Sequence, residues 1–294
     1  MNISVVLAVY NDAAHIAATL DSILNQTERD FELIVIDDGS TDATPSILAK
    51  VDDPRLRVIT QANAGLTRAL IRGCREARAP IIARHDSGDL SHPDRFRRQL
   101  ALMTGDVVLV ACATRFVGPE GEPLYVTRVD ANETRESLLH DDATKIHGIA
   151  GHGSAMFRRD AYERAGGYRE PFYFAQDLDL WVRLAKEGRF AADDEALFTV
   201  LVEPRSITTA NHDLQVKMKE IIVALRDDPY RTNELLAQAA AIRPRKGASP
   251  AAGLYFIGRC LRKQRDERAR RYFVRAVAHD PLHWRAWLSL LSGR

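Results

Sequence analysis

Short apolar runs that stop at turn-forming residues recur through the first third of the chain, and this pattern predicts buried strands. Segments with helix-period apolar positions follow them, at 13–25, 46–50 and 66–77. The alternation of strand and helix predicts an α/β fold with a mostly parallel sheet and helices on both faces. The four predicted strands are Ile3–Val9, Phe31–Ile36, Leu56–Thr60 and Pro80–Ala83.

The pattern continues less regularly to about Ser206 and then changes to helices alone. We therefore divide the chain into an α/β domain, 1–208, and a helical C-terminal extension, 209–294. Up to Val202 the predicted elements are strands at 107–111, 154–157 and within 190–202, a hairpin at 118–129, and helices at 94–103, 133–140, 159–165 and 176–187. The extension is predicted to hold helices at 213–226, 232–241, 251–263, 266–277 and 283–291, with a linker at 243–250.

The final segment, RARRYFVRAVAHDPLHWRAWLSLL, resembles one tetratricopeptide-type unit. One unit does not make a solenoid, since such folds need several stacked repeats. A helical cap packed on the α/β domain is the favoured prediction. The same helices are a candidate surface for a protein partner or a second copy of the chain.

Composition narrows the class of protein. The 294 residues are 46% apolar and 28% charged, with a formal net charge of +1, so bulk charge gives no argument for nucleic acid as a partner. The three cysteines are far apart, which predicts free thiols rather than disulfides. The N-terminus lacks a signal-peptide pattern and no run is long enough to span a membrane. We expect a cytoplasmic protein, with peripheral association at the inner membrane face left open.

Acidic residues follow two of the predicted strands. Asp37 and Asp38 come after the second strand, and Asp86 and Asp89 follow the fourth. Ligands of open α/β sheets bind at this edge, and neighbouring carboxylates there favour a hard divalent cation shared with substrate phosphates. The alternative is an ordinary turn in which these residues serve as caps, with Ser40 or Thr41 capping the next helix and Asp12 capping the first.

Six motifs resemble glycosyltransferase family 2 in order and spacing over roughly residues 1–208. They are SVVLAVYN, LDSILNQT, FELIVIDDGSTDAT, HDSGDLSHPDRFRRQ, GHGSAMFRRDAYERAGGYRE and QDLDLWVRLAKEG. The resemblance implies the GT-A fold, a nucleotide-sugar donor, a divalent metal (Mg²⁺ or Mn²⁺) and inversion at the anomeric carbon. A UDP-sugar is the favoured donor.

The resemblance also assigns donor-binding residues. It implies that Tyr10 packs against the donor base, with the backbone of Ala8 and Val9 beside it, and that Asp38 hydrogen-bonds the base. Asp37 either contacts the nucleoside or orients the turn. Arg68 is a weaker candidate for the diphosphate, because a helical Arg is commonly only solvated.

Two positions depart from the family pattern. The common form Asp-Ala-Asp-Asp, whose third residue is the usual metal ligand, reads Asp86-Ser87-Gly88-Asp89 here. Asp86 and Asp89 thus remain as candidate metal ligands, and Asp86 is also a candidate donor contact. Glu203 stands where family members often carry a His near the diphosphate or metal.

By the same resemblance Asp177 is the catalytic base, which takes the proton of the acceptor hydroxyl. A plain helix N-cap is the alternative for Asp177. Asp179 points elsewhere on the helix and is predicted to be structural, whereas His152 is expected to line the acceptor or donor-sugar side.

The predicted function is therefore an inverting, metal-dependent transfer of a single sugar to the hydroxyl of a glycan or lipid-linked acceptor, in cell-surface polysaccharide or other glycan synthesis. The Gln-x-x-Arg-Trp signature of processive synthases is absent from its expected place. Acceptor specificity is expected to lie in 114–151 and the C-terminal helices. Two alternatives stay open: a nucleotidyltransferase, which would need a Gly-rich basic loop after the first strand, and a non-catalytic nucleotide-sugar-binding or partner-recruiting module with a decayed metal site.

Overall fold

The computed structural model describes residues 1–204, 212–243 and 249–292. A nine-stranded sheet forms its centre. The strands are β1 (Ile3–Val9), β2 (Phe31–Asp37), β3 (Leu56–Thr60), β4 (Ile81–Asp86), β5 (Leu90–Ser91), β6 (Val107–Val117), β7 (Pro123–Thr127), β8 (Met156–Arg158) and β9 (Arg189–Leu201).

Twelve helices lie in the described ranges. They are α1 (Ile16–Leu24), α2 (Thr44–Leu48), α3 (Leu66–Glu76), α4 (Arg95–Leu102), α5 (Ala131–Leu138), α6 (Arg159–Arg164), α7 (Gln176–Leu184), α8 (His212–Asp227), α9 (Thr232–Ala241), α10 (Ala251–Lys263), α11 (Ala269–His279) and α12 (Trp284–Leu291). None of the helices in the described ranges combines the length and apolarity that crossing a membrane requires.

The strand order is β3-β2-β1-β4-β8-β6-β9-β5, with β7 paired to β6. The predicted parallel arrangement holds for β3, β2, β1 and β4, whereas the sheet becomes mixed beyond β4 because β8 runs antiparallel to both of its neighbours. In the parallel part, Val9 pairs with Asp37 and Ala8 with Asp86. The acidic ends of β2 and β4 thus lie at one edge of the sheet, on either side of β1.

Helices cover both faces of the sheet, which confirms the predicted α/β class. Alternate residues of β1 point to opposite sides: Val5 and Leu7 pack with α1, α2 and α4, and Val6 and Ala8 pack with α3, α7 and α8. Because both faces of β1 are apolar, the strand reads as an uninterrupted hydrophobic run in the sequence.

The C-terminal helices divide between two cores. Side chains of α8 and α9, among them Met218 and Leu235, belong to the main core on the α3 and α7 face. Helices α10–α12 form a separate apolar cluster that includes Leu124 of β7 and Val202. The extension is thus the predicted helical cap. The proposed 208/209 boundary lies outside the described residues, as does most of the predicted 243–250 linker.

Several predicted element ends shift. Helix α1 begins at Ile16 rather than at residue 13. The side chain of Asp12 does not cap the helix, because it forms hydrogen bonds with His15 and Ser87. The predicted caps for α2 are wrong as well: Ser40 Oγ accepts the Asn11 amide, and α2 starts only at Thr44 without a side-chain cap. Strand β4 continues through Asp86, and β6 reaches Val117 because β9 pairs along it.

Candidate active site

A cavity of about 450 Å³ opens where β4 ends and α7 begins, beside α8. Asp86, at the C-terminal end of β4, and Asp177, in the first turn of α7, both line it. The structure therefore brings together the predicted metal ligand and the predicted base, which are 91 residues apart in sequence. The other lining residues are Leu66, His147, Gly148, Ile149, His152, Tyr173, Phe174, Ala175, Gln176, Leu178, Trp181, Gln215 and Lys219.

Asp86 is held from behind by a buried cation. The guanidinium of Arg84, whose side chain is 1% exposed, donates from Nη2 to Asp86 Oδ1 over 2.5 Å. Burial raises the pKa of the Asp86 carboxyl, but interactions with its neighbours, foremost the positive charge of Arg84, outweigh burial, and the net effect lowers that pKa. Asp86 is therefore ionised at neutral pH, and Oδ2 forms no hydrogen bond within the described residues.

Asp89 occupies a different environment. Its side chain is buried, its Oδ1 accepts the Leu201 amide over 3.1 Å, and it does not line the cavity. Burial, reinforced by the negative charge of Asp86, raises the pKa of the Asp89 carboxyl well above its ordinary value. Between the two acids Gly88 takes a φ of +90°, a left-handed conformation that favours glycine over the family's aspartate.

Of these two carboxylates, Asp86 fits a divalent cation that is shared with a ligand, whereas Asp89 does not line the cavity. No group of three His, Cys, Asp or Glu side chains in the described parts of the chain is arranged to hold an ion by itself. Mg²⁺ and similar ions bind through one or two carboxylates together with substrate phosphates. Asp86 offers a free, partly exposed oxygen to the cavity, whereas Asp89 is buried, and burial is the main cause of its raised pKa.

Asp177 lies in the first turn of α7. Ala175 precedes it at a φ of 60°, a strained conformation that starts α7 abruptly, and Asp177 Oδ1 accepts the Leu178 amide over 2.9 Å. The N-cap of α7 is Ala175, so Asp177 lies two residues further on, within the helix. Asp179 is buried and bonds Arg183 over 2.5 Å, which is the structural role predicted for it.

His152 lines the cavity together with Asp86 and Asp177. One ring nitrogen, Nε2, is 2.7 Å from the Tyr168 hydroxyl, and the ring meets Trp181 edge-on. Burial, together with the charge of Arg84, lowers the pKa of His152 to about 4, although Asp177 and Asp86 oppose the shift. A neutral His152 thus lines the cavity as a hydrogen-bonding and packing group.

The residues predicted to bind the nucleoside lie at the edge of the sheet where β1 and β2 end, outside this cavity. Tyr10 is 51% exposed beyond β1, where Ala8 and Val9 are buried. Asp37 Oδ1 accepts the Ser40 amide, so it orients the turn. Asp38 accepts Gln61 Nε2 and the amides of Ala64 and Gly65 over 2.6–3.0 Å, and thereby fixes the loop that enters α3.

Arg68 is exposed and forms an ion pair with Glu170. The pair lines a neighbouring cleft of about 590 Å³, which shares Leu66 and Tyr173 with the first cavity. Any contact of Arg68 with a phosphate would have to compete with Glu170. Glu203 is exposed near the end of the first described range.

Sequence reasoning missed four cavity residues. Gln176 Oε1 and Trp181 Nε1 are buried without a hydrogen-bond partner among the described residues, so both are available to a bound ligand. Gln215 and Lys219, one turn apart on α8, bring the C-terminal extension into the site. The Lys219 ammonium also donates to the Ile146 carbonyl over 2.8 Å. Their i, i+4 spacing is the only signal the sequence offers, and many solvated helix faces show it.

Comparison with solved structures supports the fold. The chain superimposes with a TM-score of 0.58 on S. aureus TarS in complex with UDP-GlcNAc, at 17% identity, covering 93% of this chain and 83% of that one. The TM-score is 0.59 for the mannosyltransferase PcManGT from Pyrobaculum calidifontis in complex with GDP-Man and Mn²⁺, at 21% identity, covering 99% and 84%. These similarities confirm the predicted GT-A fold.

The relatives that are similar in sequence also include glycosyltransferases. The O-antigen biosynthesis glycosyltransferase WbnJ of Escherichia coli is 30% identical over 189 residues, 63% of this chain and 72% of WbnJ. The chondroitin synthase of Pasteurella multocida is 27% identical over 225 residues, 75% of this chain but only 23% of the synthase. The glycosyl transferase family 2 model matches residues 4–166. The chain therefore belongs to glycosyl transferase family 2, and the predicted enzyme class, glycosyltransferase, is confirmed.

Proposed function

We propose that the protein is an inverting, metal-dependent glycosyltransferase that moves one sugar from a nucleoside-diphosphate sugar to an acceptor hydroxyl. The observation that carries the proposal is that Asp86 and Asp177 line one cavity. Asp86 would neutralise the donor diphosphate through a divalent cation, and Asp177, in the same cavity, would face the acceptor hydroxyl. A single displacement needs these two groups on opposite sides of the anomeric carbon.

In that step the acceptor oxygen bonds to the anomeric carbon as the bond from this carbon to the diphosphate oxygen breaks. The proton of the acceptor hydroxyl passes to Asp177, and the nucleoside diphosphate leaves with the electron pair. Asp86, with Asp89 as the second candidate ligand, would hold Mg²⁺ or Mn²⁺, and this ion would supply charge neutralisation for the leaving group. Arg84 keeps Asp86 ionised and fixes its orientation.

The similar proteins guide the choice of substrates. TarS is described in complex with UDP-GlcNAc and PcManGT with GDP-Man and Mn²⁺, and we favour a UDP-sugar. Relatives are named for chondroitin and O-antigen synthesis, which supports a role in polysaccharide or other glycan synthesis, with a glycan or lipid-linked acceptor. Tyr10 and Asp38 would bind the nucleoside, with Ala8, Val9 and Asp37 beside them and Arg68 near the diphosphate. We place the enzyme in the cytoplasm.

The test compares Asp177→Asn with the wild type on a panel of UDP- and GDP-sugars. The asparagine keeps an oxygen for the Leu178 amide but cannot take a proton, so transfer and donor hydrolysis should fall by roughly 10²–10⁴-fold. Thermal stabilisation by nucleotide with Mn²⁺ should stay unchanged. Asp194→Asn, at an exposed position of β9, is the matched control.

Two results would contradict the proposal. If Asp177→Asn turns over at the wild-type rate, Asp177 is not the base. If the wild type binds a nucleotide sugar but transfers none of the panel, the chain is a binding module, the alternative left open by the Gly88 departure.

A further inference from the structure

The last helix, α12, presents an apolar stripe to solvent. Trp284, Trp287, Leu288 and Leu291 are 62%, 46%, 56% and 79% exposed. Their i, i+3, i+4, i+7 spacing puts them on one face of the helix. Ala286, which lies off this stripe, is buried in the cluster that joins α10–α12. An exposed apolar face of this size on a folded helix marks an interaction surface.

Two grooves adjoin this helix, and both carry basic side chains. Ser289 of α12 lines each of them. The first groove, of about 680 Å³, includes Arg265 and Arg270, and the second, of about 480 Å³, includes Arg259 and Lys263. The helix that carries the apolar stripe is therefore adjoined by two grooves that contain cationic groups.

The positive charge is concentrated in this part of the chain. Residues 249–292 contain nine Arg and Lys but three Asp and Glu, although the whole chain has a net charge of only +1. Asp266, in the first groove, is already paired with Arg268 over 2.6 Å, which leaves Glu267 as the other acid there. Within the described ranges, no ion pair is formed by Arg259, Lys263, Arg265 or Arg270.

We propose that α12 docks the protein onto an anionic lipid surface. The Trp and Leu side chains of the stripe would enter the boundary between headgroups and acyl chains, where tryptophan is favoured. The Arg and Lys side chains of the adjoining grooves would add electrostatic attraction to the lipid phosphates. The inference uses no residue of the catalytic cavity and stands apart from the proposed reaction.

A second copy of the chain is the main competing occupant, and the charges argue against it. A two-fold contact through the stripe would bring the basic grooves of one copy close to those of the other. Like charges facing each other at an interface oppose association. An anionic bilayer instead offers apolar depth to the stripe and negative charge to both grooves.

The experiment is flotation of the full chain with vesicles of phosphatidylcholine alone and of phosphatidylcholine mixed with phosphatidylglycerol. We expect binding to the mixed vesicles, little to the neutral ones, and release by high salt. Trp284→Ser combined with Leu291→Ser should lower the partition coefficient at least tenfold, because two exposed apolar side chains no longer insert. Lys263→Gln and Arg270→Gln should each lower it about fivefold.

The matched controls are Tyr230→Ser, at an aromatic residue that is 98% exposed away from α12, and Lys217→Gln on α8, and both should bind as the wild type does. Equal binding to neutral and mixed vesicles, or full binding by the α12 variants, would overturn the proposal. So would a dimer in sedimentation velocity that Leu291→Ser dissolves while no vesicle is bound. Sugar transfer to a soluble acceptor is measured in parallel, and failure of that reaction leaves the vesicle result unaffected.

Discussion

The guanidinium of Arg84, almost wholly enclosed by the sheet, donates to the carboxylate of Asp86 over 2.5 Å. A buried cation thus fixes the one acidic side chain that reaches from β4 into the cavity. Arg84 also donates to the backbone carbonyl of His85. Its charge therefore supports both the end of β4 and the ionised state of Asp86.

Replacing Arg84 by methionine should weaken both. Removing one partner of a buried pair leaves the other uncompensated, so we expect Arg84→Met to lower the free energy of unfolding by about 3 kcal/mol. Affinity for Mn²⁺ should fall with it, because Asp86 loses its fixed orientation. Urea denaturation and calorimetric Mn²⁺ titration measure the two effects. Arg97→Met, on an exposed pair with Asp94, is the control and should leave both values unchanged.

The two candidate metal ligands should differ sharply. Chelation of divalent ions should abolish transfer, and Mn²⁺ should restore it in the wild type. We expect Asp86→Asn to lose at least about 10²-fold in kcat even at saturating Mn²⁺, because Asp86 alone of the two acids lines the cavity. Asp89→Asn keeps an acceptor for the Leu201 amide and should retain most of the activity. A larger loss in Asp89→Asn than in Asp86→Asn would reverse the assignment.

The sequence was most informative where a strand is apolar throughout or where the residues of a motif are contiguous. The runs at Ile3–Val9 and Phe31–Ile36 are apolar on both faces, so their burial and parallel pairing could be predicted without the structure. The ends of elements were less predictable, because side chains such as Asp12 and Ser40 form hydrogen bonds to residues about 30 or more positions away. No local rule for helix caps includes such partners.

The site shows the same limit. Asp86 and Asp177 could be named from motifs. The pairing of Arg84 with Asp86 and the contact of His152 with Tyr168 are seen only in the folded chain. Whether Asp86 or Asp89 faces the ligand depends on a turn that includes Gly88 at positive φ and on a bond to the end of β9. The bond between Asp89 and Leu201 is a long-range contact that spacing in the sequence does not encode.

Helix α8 should influence the acceptor rather than the donor. Lys219 lines the cavity together with Asp177 and donates to the Ile146 carbonyl. We expect Lys219→Met to raise the KM for the acceptor by roughly three- to tenfold, the cost of one hydrogen bond, with the KM for the donor unchanged. Steady-state kinetics with each substrate varied in turn make the distinction. Lys217→Met, on the exposed face of the same helix, should change neither constant.

The helical cap should unfold together with the catalytic domain. Glu122, fully buried in the turn between β6 and β7, accepts the hydroxyl of Tyr272 over 2.5 Å, and Gln264 donates to the Pro123 carbonyl over 3.0 Å. Tyr272→Phe leaves that buried carboxylate with one donor fewer, which should lower the free energy of unfolding by about 2 kcal/mol. Urea denaturation followed by circular dichroism measures the loss, and Tyr230→Phe is the exposed control.

The shape of that transition also tests how the chain is divided. Since side chains of α8 and α9 belong to the main core and α10–α12 pack on β7, we expect one cooperative transition in the wild type and in Tyr272→Phe. Two transitions, with hydrogen exchange of α10–α12 becoming fast before that of β1 and β2, would show that the last three helices form an independent unit. The division near residue 208 would then have to move towards residue 249.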